Sequence, residues 1–232
     1  MGQRYALVTA GGQGLGQAIA RYFVQQGYFV FVHYYQSPQP PDADRQMMFL
    51  QADLSQREAR EHLLHEVATV TSQLHVLVNN LGWYVMERLP QITIDQWELA
   101  LTLNCTTTFH LTQLALPLLE AAQPSGRIIN LGDSACDRIT ARVMATPYHI
   151  AKLGVHVLTR SYAQLLMPKG ITVNMISPGF LENSVGRPPQ ALPAGAPGCF
   201  DDILGALGYL ISEQASHVSG TNLLVTGAWN LG

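Results

Sequence analysis

Seven short apolar runs recur along this chain: YALVT (5–9), FVFVHY (29–34), MMFLQ (47–51), HVLVNN (75–80), RIINL (127–131), ITVNMIS (171–177) and TNLLVT (221–226). Most are separated by stretches with helical periodicity, which run to about Gln26 and cover 55–70, 94–122, 148–166 and 201–211. The second and third runs are joined instead by the proline-broken loop SPQPPDAD (37–44). Strands apolar on both faces and alternating with helices require a parallel sheet covered on both sides. Its crossovers should be right-handed. The expected fold is α/β, a doubly wound parallel sheet of about seven strands with helices on both faces. No repeat or composition shift divides residues 1–232, so one domain is expected. PGFLENSVGRPPQALPAGAPG (178–198) reads as a substrate loop over about 178–200, because a further helix and strand follow it.

Composition narrows the functions. Hydrophobic residues make up 47% and charged residues 12%, which fits a large core and leaves room for a buried oligomer face. The net charge of −3, with no basic run, argues against a nucleic-acid surface. No stretch is apolar for the ~18 to 20 residues of a membrane span. Cys105, Cys136 and Cys199 are scattered without a C-x-x-C pair, which suits reduced thiols, a cytoplasmic setting and no metal site.

VTAGGQGLGQAIA (8–20) follows the first strand and opens a helix. That context turns a weak glycine pattern into a dinucleotide site, with the pyrophosphate on the helix N-terminus. Thr9, Gly11, Gly12, Gln13, Gly14, Leu15 and Gly16 form the loop, and Gly14 and Gly16 admit close backbone approach. An acid often ends the second strand and binds the adenosine ribose. HYYQS (33–37) has none, so NADP(H) is favoured, with NAD(H) accommodated. His33, Tyr34, Gln36 and Ser37 meet that end of the cofactor. Asp53 and Leu54 follow the third strand, where Asp53 either accepts from the adenine amino group or caps the next helix.

YHIAK sets Tyr148 and Lys152 four apart on one helix face. A free tyrosine has a pKa near ~10, and a neighbouring ammonium lowers it. The pair is a candidate acid/base beside a ribose hydroxyl and a carbonyl.

Over its whole length the sequence resembles the short-chain dehydrogenase/reductase family. The resemblance rests on TAGGQGLG (9–16), ADL (52–54), NNLG (79–82), Asn104 in LNCTTTF, YHIAK (148–152), ISPG (176–179) and SGTNLLVTGAW (219–229). It implies a Rossmann fold and hydride transfer with a nicotinamide. Tyr148 would be the acid/base, and Lys152 would hold the ribose and lower the tyrosine's pKa. Asn104 would hold a relay water or merely bend its helix. Asn80, Gly82, Pro178 and Gly179 would line the cofactor. A homo-oligomer, tetramer or dimer, is the family's habit. Ala10 replaces the loop's usual first glycine, and should be tolerated if its backbone angles are ordinary.

The family usually places a serine where INLGD ends; here that residue is Asp133, followed by Ser134. Alignment from the strand puts Asp133 in the polarising position, while counting back from Tyr148 favours Ser134. An aspartate there, and an aromatic shortly after NN, resemble the pteridine reductases of the family. Trp83 or Tyr84, with Phe180, would then flank a flat substrate, or the first two would simply pack over the cofactor. When protonated, Asp133 could donate to a ring nitrogen. Two alternatives stand beside this reading: a 3-oxoacyl-carrier-protein-type reductase, and a non-catalytic NADP-binding regulator.

Overall fold

The computed structural model describes residues 2–36, 45–122, 126–184 and 190–230. The strands are β1 (Arg4–Val8), β2 (Tyr28–Tyr34), β3 (Met47–Gln51), β4 (Val76–Asn79), β5 (Arg127–Leu131), β6 (Thr172–Pro178) and β7 (Asn222–Val225). They form one sheet in the order β3-β2-β1-β4-β5-β6-β7, and every pairing is parallel. The helices are α1 (Gly14–Gln25), α2 (Arg57–Val70), α3 (Ile94–Leu101), α4 (Thr107–Ala121), α5 (Thr146–Leu166) and α6 (Phe200–Ile211).

Strand alternation sorts the core into two layers. Ala6 and Val8 face a cluster containing Ile19, Phe23, Ile203 and Leu207, from α1 and α6. Leu7, between them, faces Leu63, Leu111, Leu119 and Leu166, from α2, α4 and α5. Each fully buried leucine or phenylalanine contributes about 1.5–3 kcal/mol by leaving water. The chain reverses its direction of winding between β1 and β4. Open α/β sheets bind ligands at such a switch point, beyond the carboxyl ends of the strands.

A polar rung crosses the sheet's interior. Asn79 of β4 sits opposite Asn130 of β5, and its Nδ2 donates to Asn130 Oδ1 at 2.8 Å. Asn130 Nδ2 donates in turn to Thr159 Oγ1 on α5 at 2.9 Å. All three residues are buried, where an unpaired amide would cost about 1–3 kcal/mol.

The helix expected over 94–122 is not continuous. A wider π turn, Thr102–Thr106, interrupts it between α3 and α4, with Asn104 at its centre. Asn104 Nδ2 donates to the Ala100 carbonyl four residues back, and Thr108 Oγ1 donates to the Asn104 carbonyl. Side chains that compete in this way for backbone groups bend a helix.

Candidate active site

The glycine loop is tied down by the ends of its neighbouring strands. Thr9 Oγ1 accepts from the backbone N–H groups of Asn80 and Leu81, at 2.9 and 3.0 Å. Asn80 Nδ2 donates to the carbonyls of Thr9 and Ala10, at 3.0 and 3.2 Å. Gly11 packs so closely that a Cβ would lie 2.8 Å from Val32 Cγ1. A Cβ on Gly16 would lie 2.1 Å from the Ala10 carbonyl oxygen, so only glycine lets α1 start there. Gly14 has φ +54°, the left-handed conformation glycine adopts without strain. Gly12 and Gln13 complete the loop, and Gln13 caps α1 without a side-chain hydrogen bond. The first N–H groups of α1 therefore remain for an anion, and Leu15 packs into the core beneath them. This cradle fits a pyrophosphate.

Three expectations for the adenosine end change. Ala10 has φ +50°, so its angles are left-handed rather than ordinary, a conformation that costs an L-residue about 1–2 kcal/mol. His33 is not a free donor for a 2′-phosphate. It is 2% exposed, its Nδ1 accepts from the Ala10 N–H at 3.0 Å, and its Nε2 lies 3.0 Å from the Ala52 carbonyl oxygen. It braces the strained loop from below, and burial lowers its pKa. Asp53 Oδ1 accepts from Ser55 N–H and Oγ, at 3.0 and 2.7 Å, making a turn rather than capping α2, whose cap is Gln56. Leu54 is buried, and its carbonyl accepts from Arg60 and Thr107. Tyr34 is half-buried and Gln36 exposed at the end of β2, while Ser37 lies outside the described residues.

Beyond the ends of β4 and β5 the reactive groups converge. Lys152 is 3% exposed, and its Nζ donates to the Leu131 carbonyl at 2.8 Å and the Leu81 carbonyl at 3.4 Å. A Cβ on Gly82 would stand 3.8 Å from both Lys152 Nζ and Asn104 Oδ1. Asn104 is fully buried. Its Oδ1 accepts from Trp83 N–H at 3.0 Å, and its Nδ2 donates to the Trp83 carbonyl at 2.9 Å. The amide is therefore committed to positioning the 82–83 backbone. Asn104 sits at the helix break, and its side-chain hydrogen bonds go to the backbone of Trp83 and Ala100.

Tyr148 donates its hydroxyl hydrogen to Asp133 Oδ2 at 3.2 Å. Lys152 Nζ lies 5.9 Å from the centroid of the tyrosine ring. Burial first, and the Asp133 carboxylate second, push the phenol well above its ordinary pKa. Burial also holds Lys152 down to about 8 against the pull of Asp133. The lysine does not set the direction of the tyrosine's shift, as the sequence reading expected; desolvation and the carboxylate do. Asp133 ends the β5 segment and starts a 3-10 turn, Ser134–Cys136, by accepting from Ala135 N–H at 2.7 Å.

Tyr148 and Asp133 line a cavity of about 410 Å³. Asp133, Ser134, Tyr148, Tyr84, Pro178, Gly179 and Phe180 are all in its wall. Tyr84 stands edge-on to Tyr148, with ring centroids 4.8 Å apart. Phe180 packs edge-on against Trp229 at 5.4 Å. Trp83 is not in the wall, and its backbone is what Asn104 holds. Sequence reasoning missed four polar members: Arg142, His149, Ser184 and Asn230. His149 is next to Tyr148 in the motif, and that adjacency was the available signal. Arg142 Nε is buried without a hydrogen-bond partner among the described residues.

Comparison with known proteins identifies the family and the fold. Residues 4–189 match a family model described as short chain dehydrogenase. The chain is 32% identical to L-fucose dehydrogenase of Bos taurus, over 100% of this chain and 93% of that protein. It is 30% identical to 3-oxoacyl-[acyl-carrier-protein] reductase of Synechocystis, over 96% and 95%. A solved structure of a blue fluorescent protein from a metagenomic library, in complex with NADPH, superposes with a TM-score of 0.88. It is 25% identical, and 98% of each chain is covered.

Proposed function

The chain belongs to the short chain dehydrogenase family and is an NAD(P)-dependent oxidoreductase, and on that footing we propose that it reduces a planar ring substrate, pterin-like, at a C=N or carbonyl group. The observation that carries the reading is the Tyr148–Asp133 hydrogen bond in the wall of the cavity. An ionised carboxylate only accepts hydrogen bonds. Asp133 would oppose the negative charge that grows on a ketone oxygen, yet it suits a substrate with an N–H beside the reacting atom. Tyr84, on the cavity wall, offers a ring face or edge to a flat heterocycle.

A bound nicotinamide supplies the hydride. Gly14, Gly16 and the start of α1 would hold its pyrophosphate, and Lys152 its ribose. The Tyr148 phenol, kept protonated by its surroundings, would deliver the proton to the substrate nitrogen or oxygen beside the carbon that is reduced. Lys152 keeps its ammonium at neutral pH and stabilises the phenolate left behind. NADP(H) is the preferred cofactor, supported by the absence of an acid from His33 to Gln36 and by the NADPH-bound structural relative.

A second reading, reduction of 3-oxoacyl thioesters, is favoured by the similarity to the Synechocystis enzyme. The two separate in one assay. Oxidation of NADPH is followed with dihydropterins, quinones, simple ketones and 3-oxoacyl thioesters. Turnover of the nitrogen heterocycles is expected, and turnover of ketones or thioesters alone would overturn the ring reading. We further propose a cytoplasmic homo-oligomer, dimer or tetramer. Ile150, Val157 and Leu165 are exposed along α5, and a second copy would cover them.

A further inference from the structure

Asp133, Cys136 and His149 converge at the inner wall of the cavity, and the chemistry above makes no use of Cys136. A carboxylate oxygen, the Sγ atom and a ring nitrogen all lie within 4.8 Å of one another. Two local structures bring them together. The turn after β5 closes by a hydrogen bond from the Cys136 N–H to the Asp133 carbonyl at 2.9 Å, which brings the thiol back beside the carboxylate. The first turns of α5 then set His149 Nδ1 3.8 Å from Cys136 Sγ. Cys136 is 2% exposed, whereas Asp133 and His149 are only partly buried and line the cavity. The trio is therefore closed on the protein side and open on the cavity side.

We propose that this trio binds a divalent transition ion of the zinc class, and that the bound ion stops turnover. Thiolate, imidazole and carboxylate together suit a borderline-soft cation. Magnesium and calcium prefer oxygen ligands alone. Three protein ligands leave the fourth tetrahedral position facing the cavity, where water completes the coordination. Zinc sits ~2.0–2.3 Å from such ligands, so small side-chain rotations draw the set inward. Burial and the Asp133 carboxylate push the Cys136 thiol up to about 12, so an arriving ion must displace its proton, and the charges of Lys152 and Arg142 further oppose the ion; both make binding weaker than at a structural site. An ion on Asp133 removes the acceptor of the Tyr148 hydroxyl and fills part of the cavity. The inhibitory half rests on the function proposed above; the binding half does not.

The test has two readouts on the full chain. Cobalt(II) is titrated into the metal-free protein, and the absorbance of tetrahedral, thiolate-bound cobalt is followed. A saturable signal is expected that zinc reverses, that survives Cys199→Ala and that vanishes in Cys136→Ala and weakens in His149→Gln. Circular dichroism checks that each variant is folded. Separately, the zinc concentration that halves NADPH-linked turnover should rise about tenfold or more in Cys136→Ala, whose uninhibited rate is unchanged. Absence of a thiolate signal, or its persistence in folded Cys136→Ala, overturns the site. A signal with turnover unaffected by zinc overturns the inhibitory role. A signal in a protein inactive on every substrate in the panel upholds the binding site and removes the proposed function instead.

Discussion

The Tyr148 hydroxyl and the Asp133 carboxylate share a hydrogen bond of 3.2 Å, while the other carboxylate oxygen accepts from the Ala135 N–H. The backbone thus aims Asp133 at the tyrosine. Ser134 is also in the cavity wall, but it is 6% exposed and its carbonyl accepts from Asn230 Nδ2. Asp133→Ala should therefore lower turnover about a hundredfold or more, the scale of losing one polar group at the reacting atoms. Ser134→Ala should stay within about threefold of wild type, because among the described residues the Tyr148 hydroxyl bonds Asp133 and not the Ser134 side chain. Steady-state kinetics on both variants decide the matter, and the reverse ranking would return the serine to the polarising role.

Tyr148→Phe removes only the transferable proton. Turnover should fall about a thousandfold, within the range for lost general acid catalysis. Cofactor affinity, read by fluorescence titration, should change little. Lys152→Ala should damage both, because the buried ammonium spans the Leu81 and Leu131 carbonyls beside the expected ribose.

Ala10→Gly should stabilise the protein. Ala10 carries the left-handed penalty of about 1 kcal/mol. The extra freedom of glycine in the unfolded chain offsets part of that gain. A net of about 0.5 kcal/mol corresponds to a Tm increase of roughly 1–2 °C for a chain of this size. A lower Tm in calorimetry would show that the alanine methyl packs favourably enough to outweigh the strain.

Gln36→Asp places an acid at the end of β2, where Gln36 is exposed. Like charge should then weaken NADPH binding about tenfold and leave NADH nearly unchanged. Equal affinities for the two cofactors in the wild type, with no response to the substitution, would place the 2′-phosphate elsewhere.

His33 makes stability depend on pH in one direction. Burial lowers its folded pKa, so the unfolded chain binds the proton first, near ~6.5. Stability from this residue is present above that pH and drains away as pH falls towards the folded value. Protonation would also set a second N–H against that of Ala10. Thermal melts through the mildly acidic range should lose less Tm in His33→Gln than in wild type. Parallel curves would assign the acid sensitivity to other histidines.

The sheet was legible because a strand buried on both faces has an unmistakable composition. The glycine loop was legible because strand, glycines and helix occur together. Backbone angles were not. Ala10 looks harmless as a letter, and only the approach of Gly16 to its carbonyl shows why the turn is forced left-handed. The break at Asn104 was hidden in a helical pattern, because a π turn is short and leaves helix on both sides of it. His33 looked like a phosphate donor because sequence does not show which partners a ring nitrogen already has. Arg142 and Asn230 were missed for a related reason. They reach the cavity from a loop and from the C-terminal segment, and long-range approach leaves no local spacing to read.

The amide rung between Asn79 and Asn130 has a consequence beyond stability. A parallel pair of wholly apolar strands can slide by a residue and still bury greasy side chains, but this pair cannot. A shift would separate the two amides by about 3.3 Å and leave the Asn130 Oδ1 acceptor without its Asn79 donor in a dry interior. The rung therefore acts as an alignment pin. Asn80 and Gly82 leave one strand and Asp133 leaves the other, a few residues beyond the pin. Their mutual offset, on which the meeting of lysine, tyrosine and carboxylate depends, is set inside the sheet rather than by the loops.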